Sequence, residues 1–586
     1  MMQEKVLEFL EQRPPEWRLV ASAGCVLAAS FFGLRWRKRR QIQKRMEEER
    51  KRRAESERHM RRELRDFHKQ NPAVDSKKIL ELPLLELIEK LKDDSLTPET
   101  VLYSYVEKAL EVNDDLNCVT VFLTDCKEQL KNLRAERVRG PLYGVPVTIK
   151  EHVGYQGHPS TCGLVQYLDV LDKEDSVMVS VLKKQGAIVF AKTNVPQTLL
   201  CYETSNPIYG LTVNPHNRAK GAGGSSGGEG ALIVAGGSIL GIGTDLGGSI
   251  RLPSSFCGIP GFKPTPERMS LGGVRSCIDG MTAVPLCIGP MARDVDSLVL
   301  SMKAFWCDKM FHLDPSIPPI CFNEETFSSI SSLRIGYYEE DGYFQPNPGM
   351  RRVLLEAKQL LEAAGHQLVP FRPPRVNTIY EMFIKAMVGD GGRTLADKFN
   401  NNVVDPNLAD SYLMYTMPRV LKRLLGFLLR PIFPRISSHI YSACGPRSLK
   451  DHWAERIELE DYRDEFIREW RRLSLDVVLC PMLSPAFNIG YPGKMLAPLS
   501  YTMIYNILRF PAGVVPFGRV TAEDEEELKR HRGYNNDPWD KLFKKAVEDG
   551  LGMPLSVQCA ALPYQDEICL RLMKEIETLH SRHLKR

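Results

Sequence analysis

No two of the 14 cysteines in this chain of 586 residues stand three positions apart. Without a C-x-x-C pair there is no zinc-site spacing and no disulfide framework. Reduced, buried thiols in a cytosol-facing protein are the expected state, with no metal and no other cofactor. A phosphate-binding loop is also missing, because no Lys-Ser or Lys-Thr follows the glycine-rich run Lys220–Leu232. Charge of one sign is scarce outside one short stretch. Residues 35–66 carry 15 Lys/Arg against 7 Asp/Glu, whereas the whole chain has a net charge of only +5. The body beyond that stretch is close to neutral, and a broad nucleic-acid surface, which needs clustered cations on the folded domain, is excluded. No local feature marks any of the 12 histidines as a general base, and no internal repeat is visible.

Long apolar runs are few, and the exception lies near the N-terminus. Leu19–Leu34, "LVASAGCVLAASFFGL", has no charged residue and is flanked by Trp17 and Trp36. With the tryptophans included it is just long enough to span a hydrocarbon core. Seven positive charges follow at once in Arg35–Arg45, which puts the rest of the chain in the cytosol. A cleaved signal peptide carries its charges before the apolar run. A single-pass anchor at about residues 17–36, within an N-terminal segment 1–36, is the reading favoured over a signal peptide or an interfacial helix. Residues 37–79 then read as a charged helical stalk. Residues 37–66 show no apolar stripe and are expected to be solvated, with the Lys/Arg cluster near anionic headgroups.

From about Leu80 the pattern is globular. Hydrophobic residues make up 43% and charged residues 26% of the chain, enough for a core of good size. Thr97-Pro98-Glu99 predicts a helix start. Gly186–Asn194 and Gly237–Asp245 read as buried strands, and "SVMVSVLKKQ" and "EGALIVAGG" as helices. Strands alternating with helices predict an α/β fold around a mixed sheet.

The run Lys220–Leu232, "KGAGGSSGGEGAL", holds two adjacent serines among six glycines. A flexible linker would separate polar regions, yet this run leads straight into an apolar helix and strand. Gly223–Gly227 also spells G-x-S-x-G, but a nucleophile elbow needs a strand directly before it, and the upstream "NPHNRAKGAG" is polar. A third serine, Ser249, follows two glycines in "DLGGSIRLP" at the end of a strand. Glycines there let backbone N–H groups face a substrate as an oxyanion hole. Upstream, "GPLYGVPVTIKE" is a turn and a short apolar strand ending in Lys150. Burial lowers a lysine's pKa and makes it available as a base.

Together these pieces resemble the amidase signature family. The matching residues are Gly144–Val147 up to Lys150, Gly223–Gly228 and Asp245–Arg251. Further matches are Lys192–Asn194, Gly261–Thr265 and Gly289–Asp294. The resemblance covers roughly residues 80 to 580. It implies the amidase signature fold, a central twisted mixed β-sheet surrounded by α-helices, preceded here by the N-terminal transmembrane helix. It also implies a Ser–Ser–Lys triad with Ser249 as nucleophile, Ser225 as bridge and Lys150 as base. Oxyanion and substrate contacts would come from Leu246, Gly247, Gly248, Ser249, Leu199 and Ser225. Ser226, Gly224 and Arg251 would support the site, with a cis peptide after Gly224. Ser226 is otherwise an ordinary loop hydroxyl.

Two features point towards a lipid amide. One is the N-terminal run. The other is "MPRVLKRLLGFLLRPIFPR", Met417–Arg435, within a cap at about 410–440. On a helical wheel Arg419, Lys422, Arg423 and Arg430 cluster, with Val420, Leu421, Leu424, Leu425 and Leu428 opposite. A helix lying in an anionic membrane surface fits that pattern better than a buried core helix. With these additions the chain resembles the vertebrate members of the family that hydrolyse fatty acid amides. That resemblance implies N-acylethanolamine and primary-amide substrates such as anandamide and oleamide, contacts with membrane lipids and a homodimer. It implies a catalytic domain (80–586) on the cytosolic side of the endoplasmic reticulum or Golgi membrane. Leu199, Leu200 and Tyr202 are acyl-pocket candidates. The rival readings are an amidase-signature enzyme for a different amide and an inactive membrane scaffold, which the intact Lys150, Ser225 and Ser249 oppose.

Overall fold

A computed structural model of the protein describes residues 15–136, 138–278 and 280–585. The side chains of residues 15–22, 24, 26 and 28 lie outside that description. Alternating apolar segments build a single large sheet, as the α/β reading predicts. Its strands are β1 (Val119–Phe122), β2 (Pro146–Lys150), β3 (Ile188–Thr193), β4 (Leu240–Asp245), β5 (Gly261–Lys263) and β6 (Cys287–Ala292). They are followed by β7 (Arg334–Tyr337), β8 (Gln367–Pro370), β9 (Val477–Pro481), β10 (Ala512–Arg519) and β11 (Pro554–Ala561). The spatial order is β1-β3-β2-β4-β6-β5-β10-β11-β9-β7-β8. β2 runs parallel to both β3 and β4, with Val147 opposite Val189 and Ile149 opposite Ile242. β4 is antiparallel to β6, and β10 to β11. The sheet is therefore mixed.

The strands at its centre are buried on both faces, which is why they read as continuous apolar runs rather than alternating ones. All residues of β2, β3 and β4 are buried. The C-terminal ends of these three parallel strands share one edge, where sites on parallel sheets form.

Local signals set the helices. α1 (Pro15–Gln70) precedes the sheet, and α2 (Pro98–Leu116) starts where Thr97 predicted it. Thr97 Oγ1 accepts from Thr100 N at 3.1 Å, and Asn117 ends the helix in the left-handed region at φ 54°. The short α3 (Gly227–Val234) and α4 (Arg251–Cys257) follow the two serine-bearing loops.

The stalk departs from its sequence reading. Ile42, Met46, Met60 and Phe67 of α1 are buried, as are Glu49, Ser56 and Glu63. Glu49 accepts from Tyr209 Oη at 3.0 Å and Glu63 from Tyr103 Oη at 3.1 Å. Arg53 donates to Asn117 Oδ1 at 2.8 Å, and Phe67 stacks on Tyr103 at 4.8 Å. The helix is strapped to the body along one face. That face mixes apolar groups with hydrogen-bonded polar ones, so hydrophobic periodicity alone does not reveal it. Among the described residues no helix is long and apolar enough to cross a membrane. Part of the expected span at 17–36 lies outside the described residues; of the rest, Leu27, Phe31, Phe32, Leu34 and Trp36 are exposed.

Candidate active site

Lys150 ends β2 with its side chain fully buried. Its Nζ lies 2.7 Å from Ser225 Oγ, 2.9 Å from Thr244 Oγ1 and 3.4 Å from the Thr244 carbonyl. Burial pushes the ammonium down to about 7, against the opposing pull of Asp245 and its neighbours. A substantial neutral fraction at physiological pH follows, as a lysine base requires.

Ser225 reaches Lys150 from a turn that has no space for side chains. A Cβ on Gly224 would sit 2.8 Å from the Cys201 carbonyl and 2.9 Å from Tyr202 Cα. The Gly224–Ser225 peptide is cis. Ser226 then precedes α3 and ties the two serine loops together. Its N–H donates to the Ser249 carbonyl at 3.2 Å, and its Oγ stands 3.3 Å from both the N–H and the carbonyl of Thr244. These bonds give Ser226 a definite partner on each side, unlike an ordinary loop hydroxyl.

The loop after β4 is shaped from beneath by a buried ion pair. Arg251 Nε donates to Asp245 Oδ2 and Nη2 to Oδ1, both at 3.0 Å. The other guanidinium N–H groups reach Thr502 O, Gln558 Oε1 and Asn506 Oδ1, so the arginine is fully satisfied. Burial alone would raise the Asp245 carboxyl, but Arg251 and Asn506 hold it well below the usual carboxylate range. The same carboxylate accepts from Gly248 N at 2.7 Å and Ile250 N at 3.1 Å. Gly248 takes φ +128°, a region that an L side chain rarely adopts. This geometry trims the expected set of oxyanion donors. Gly248 N–H is spent on Asp245, whereas no acceptor among the described residues engages the N–H of Leu246, Gly247 or Ser249. Arg251 sits behind this loop and shapes it.

Ser249 stands where two cavities meet. The larger, about 240 Å³, is lined by Ser249, Leu246, Gly247 and a mostly apolar wall that includes Phe383, Met387 and Met495. The smaller, about 60 Å³, is lined by Ser225, Thr244, Ser249 and Ile278. Leu199 and Leu200 line both, and Tyr202 lines the larger, its Oη donating to the Met495 carbonyl at 2.6 Å. All three acyl-pocket candidates therefore face the space beside Ser249. The other motif residues are structural. Lys192 Nζ donates to Pro159 O at 3.0 Å, Lys263 Nζ to Phe510 O at 2.6 Å, and Asp294 caps a helix through Ser297 N at 2.7 Å.

The cap forms two helices, α5 (Arg419–Leu429) and α6 (Pro434–Ser442). Leu421, Leu424 and Leu428 of α5 are exposed, with Val420 and Phe427, and Leu425 is half-buried. Lys422 corrects the helical-wheel picture of one cationic face. It is buried and donates to the Gly391 and Ala443 carbonyls at 3.0 and 3.2 Å. It anchors α5 from below, and this turns the leucines outwards. Behind it, Ile436, His439 and Ile440 of α6 wall the larger cavity.

Sequence reasoning missed Thr244, His152 and the distant wall. His152 lies two residues after Lys150, with Nε2 2.8 Å from Thr244 Oγ1 and Nδ1 2.6 Å from the Arg275 carbonyl. Its spacing from Lys150, with strand alternation in mind, was a usable signal. The wall residues at 383–387, 436–443 and 495–499 carry no motif.

The geometry agrees with comparisons to known proteins. The family model described as "Amidase" matches residues 100–570. The chain is 48% identical over 556 residues to fatty-acid amide hydrolase 1 of Sus scrofa, covering 95% of each chain. It is 39% identical over 501 residues to fatty acid amide hydrolase 1 of Caenorhabditis elegans, covering 84% of this chain and 87% of that one. A solved structure of a fatty acid amide hydrolase superposes with a TM-score of 0.76 at 23% identity, covering 92% of this chain and 94% of that one.

Proposed function

The chain belongs to the amidase signature family, and from that premise we propose that it is a membrane-bound serine hydrolase that cleaves fatty acid amides to the free acid and the amine. The observation that carries this reading is the buried 2.7 Å contact between Lys150 and Ser225, opening through Ser249 onto an apolar cavity. Neutral Lys150 takes the proton of Ser225 Oγ while Ser225 takes that of Ser249. Ser249 Oγ attacks the amide carbonyl carbon. Leu246, Gly247 and Ser249 N–H groups receive the oxyanion, each such donor being worth on the order of 10²–10³ in rate. The relay run in reverse protonates the amide nitrogen, which makes it a competent leaving group. The C–N bond breaks, the amine departs and an acyl ester remains on Ser249. Water then adds to the ester, giving its proton to the same relay, and the fatty acid leaves as Ser249 regains its hydrogen.

The substrate reading rests on the cavity's apolar wall and the exposed leucines of α5, with N-acylethanolamines such as anandamide and primary amides such as oleamide as the amides in view. The exposed Leu27, Phe31 and Trp36 of α1, together with the cations of Arg35–Arg45, support a single-pass anchor at about 17–36. The catalytic domain (80–586) then lies on the cytosolic side of the endoplasmic reticulum or Golgi membrane. A homodimer, implied by the family resemblance, would present two caps to that one membrane.

The deciding experiment is release of oleate from oleoyl amide by membrane fractions bearing the wild-type chain or Ser249→Ala. Activity that disappears in the variant supports nucleophile and substrate together. Activity that survives in Ser249→Ala refutes the triad.

A further inference from the structure

Beside the candidate site lies another cavity of about 580 Å³. It shares Met387 with the cavity beside Ser249, and Ile278 and Met281 with the smaller cavity at Ser225. Those two hold one lysine between them, Lys494, whereas this one is lined with several cations. Arg419, Arg447 and Arg456 contribute to it, with His452. Among the described residues none of the three guanidiniums has a carboxylate within ion-pair distance, and Arg456 Nη1 is buried without a hydrogen-bond partner. Among the described residues the one acid in the lining, Asp390, is occupied by its own loop, accepting from Gly392 N at 2.8 Å and Thr394 N at 2.5 Å. The nearby Asp451 carboxylate is taken by the Arg447 backbone N–H at 3.2 Å. Ser448, which also lines the cavity, is the N-cap of the 24-residue helix α7 (Leu449–Arg472), so the positive end of that helix dipole adds to the field.

Arg419 and Arg456 are half-buried and Arg447 is exposed, and an unpaired guanidinium that has lost part of its water is costly unless an anion joins it. The rest of the lining sets Met387, Leu395 and Leu449 beside the hydroxyls of Thr282 and Thr394, so the anion that fits this apolar and polar mixture is the head of an amphiphile. A carboxamide substrate is neutral and needs no such cluster, whereas its hydrolysis creates a carboxylate. We propose that this cavity is a second lipid site that takes the carboxylate of a long-chain fatty acid, the acyl product, after it leaves Ser249. The origin of that carboxylate rests on the amide-hydrolase reading. Binding of an added fatty acid does not, and can be measured without turnover.

The experiment uses the full chain carrying Ser249→Ala, in membranes, with a C18 fatty acid that bears a photoreactive diazirine next to its head group. The corresponding alcohol serves as the uncharged control, and labelled peptides are mapped by mass spectrometry. The acid labels the peptide spanning residues 446–456 and the alcohol does not. Arg447→Ala/Arg456→Ala lowers this labelling about 10-fold or more, the scale of lost charge-assisted hydrogen bonds. Arg447→Lys/Arg456→Lys, which conserves charge, retains much of it. Equal labelling by acid and alcohol, or labelling unchanged in the double alanine variant, overturns the proposal. So does displacement of the probe by inorganic phosphate or by phosphatidylserine vesicles but not by oleate, since the anion is then not a fatty carboxylate. Hydrolysis of oleoyl amide by the wild-type chain, assayed alongside, reports on the catalytic reading separately.

Discussion

His152 Nε2 stands 2.8 Å from Thr244 Oγ1, and the same hydroxyl stands 2.9 Å from Lys150 Nζ. The other ring nitrogen of His152 faces the Arg275 carbonyl at 2.6 Å. A carbonyl only accepts, so Nδ1 carries the proton and Nε2 is the acceptor. The Thr244 hydrogen therefore points at His152, and its lone pairs face Lys150. Burial, and next the charge of Lys150, hold the imidazole pKa well below its ordinary value and keep the ring neutral. His152 thus fixes a hydroxyl that in turn orients the amine towards Ser225.

Removing that acceptor frees the hydroxyl rotor. His152→Phe is expected to lower kcat about 10-fold, the cost of one buried hydrogen bond, with KM little changed. Thr244→Val should do the same. Because the two residues act through one chain, the double variant should be no worse than the worse single one. Additive losses would show that His152 only fills space.

Lys150 also sets a pH limb. Burial lowers its pKa to about 7, and in the proposed relay the base is the neutral amine. Activity should therefore be present above pH 7 and be lost as the amine gains a proton below it. The groups that face Lys150 and oppose the shift are Asp245, Cys162, Glu229 and Glu151. A profile of kcat/KM against pH with its acidic limb near 7 is the expected result. A limb near the ordinary carboxylate range would assign the base elsewhere. Lys150→Met should remove the limb and cost about 10⁴-fold or more in kcat, as for members of a catalytic unit that act together.

The buried Asp245–Arg251 pair tests the loop that presents Ser249. Asp245→Asn leaves a guanidinium buried with no countercharge, a change worth about 3–5 kcal/mol. Urea unfolding should show that loss. The turn at Gly248 also loses one charged acceptor, so turnover should fall by more than stability alone explains. A variant as stable as wild type would mean that the pair is dispensable.

The parts of this site that repeat as short local patterns were legible in the sequence. Lys150 ends an apolar strand, Ser225 and Ser249 sit in glycine runs, and the strand before Ser249 reads as a short apolar run with β-branched residues. What was not legible depends on distant partners. Gly248 reads as an oxyanion donor until Asp245 is seen beneath it. Lys422 reads as a surface cation until the carbonyls of Gly391 and Ala443 close over it. The face of α1 that binds the body is written in Glu49, Arg53 and Glu63, whose roles appear only beside Tyr209, Asn117 and Tyr103. The cavity wall comes from segments more than 100 residues apart in sequence.

The outward leucines of α5 give a last test. Val420, Leu424, Phe427 and Leu428 are 78%, 52%, 67% and 58% exposed, a contiguous apolar face that water penalises. Burying one such side chain is worth about 1.5–3 kcal/mol. Phe427→Glu/Leu428→Glu removes two and adds charge, so docking of the cap on a vesicle should weaken by about 10²-fold or more. For an oleoyl amide presented in vesicles, the loss should appear as a raised apparent KM. For a short, water-soluble amide the substitution should matter far less, because that substrate does not arrive from a bilayer. Equal losses on both substrates would mean that α5 acts on the catalytic cavity itself. The α6 residues Ile436, His439 and Ile440 line that cavity, so the two helices make opposite predictions. Ile440→Ala should alter acyl-chain preference on soluble and vesicle-borne amides alike, whereas the α5 pair should separate them.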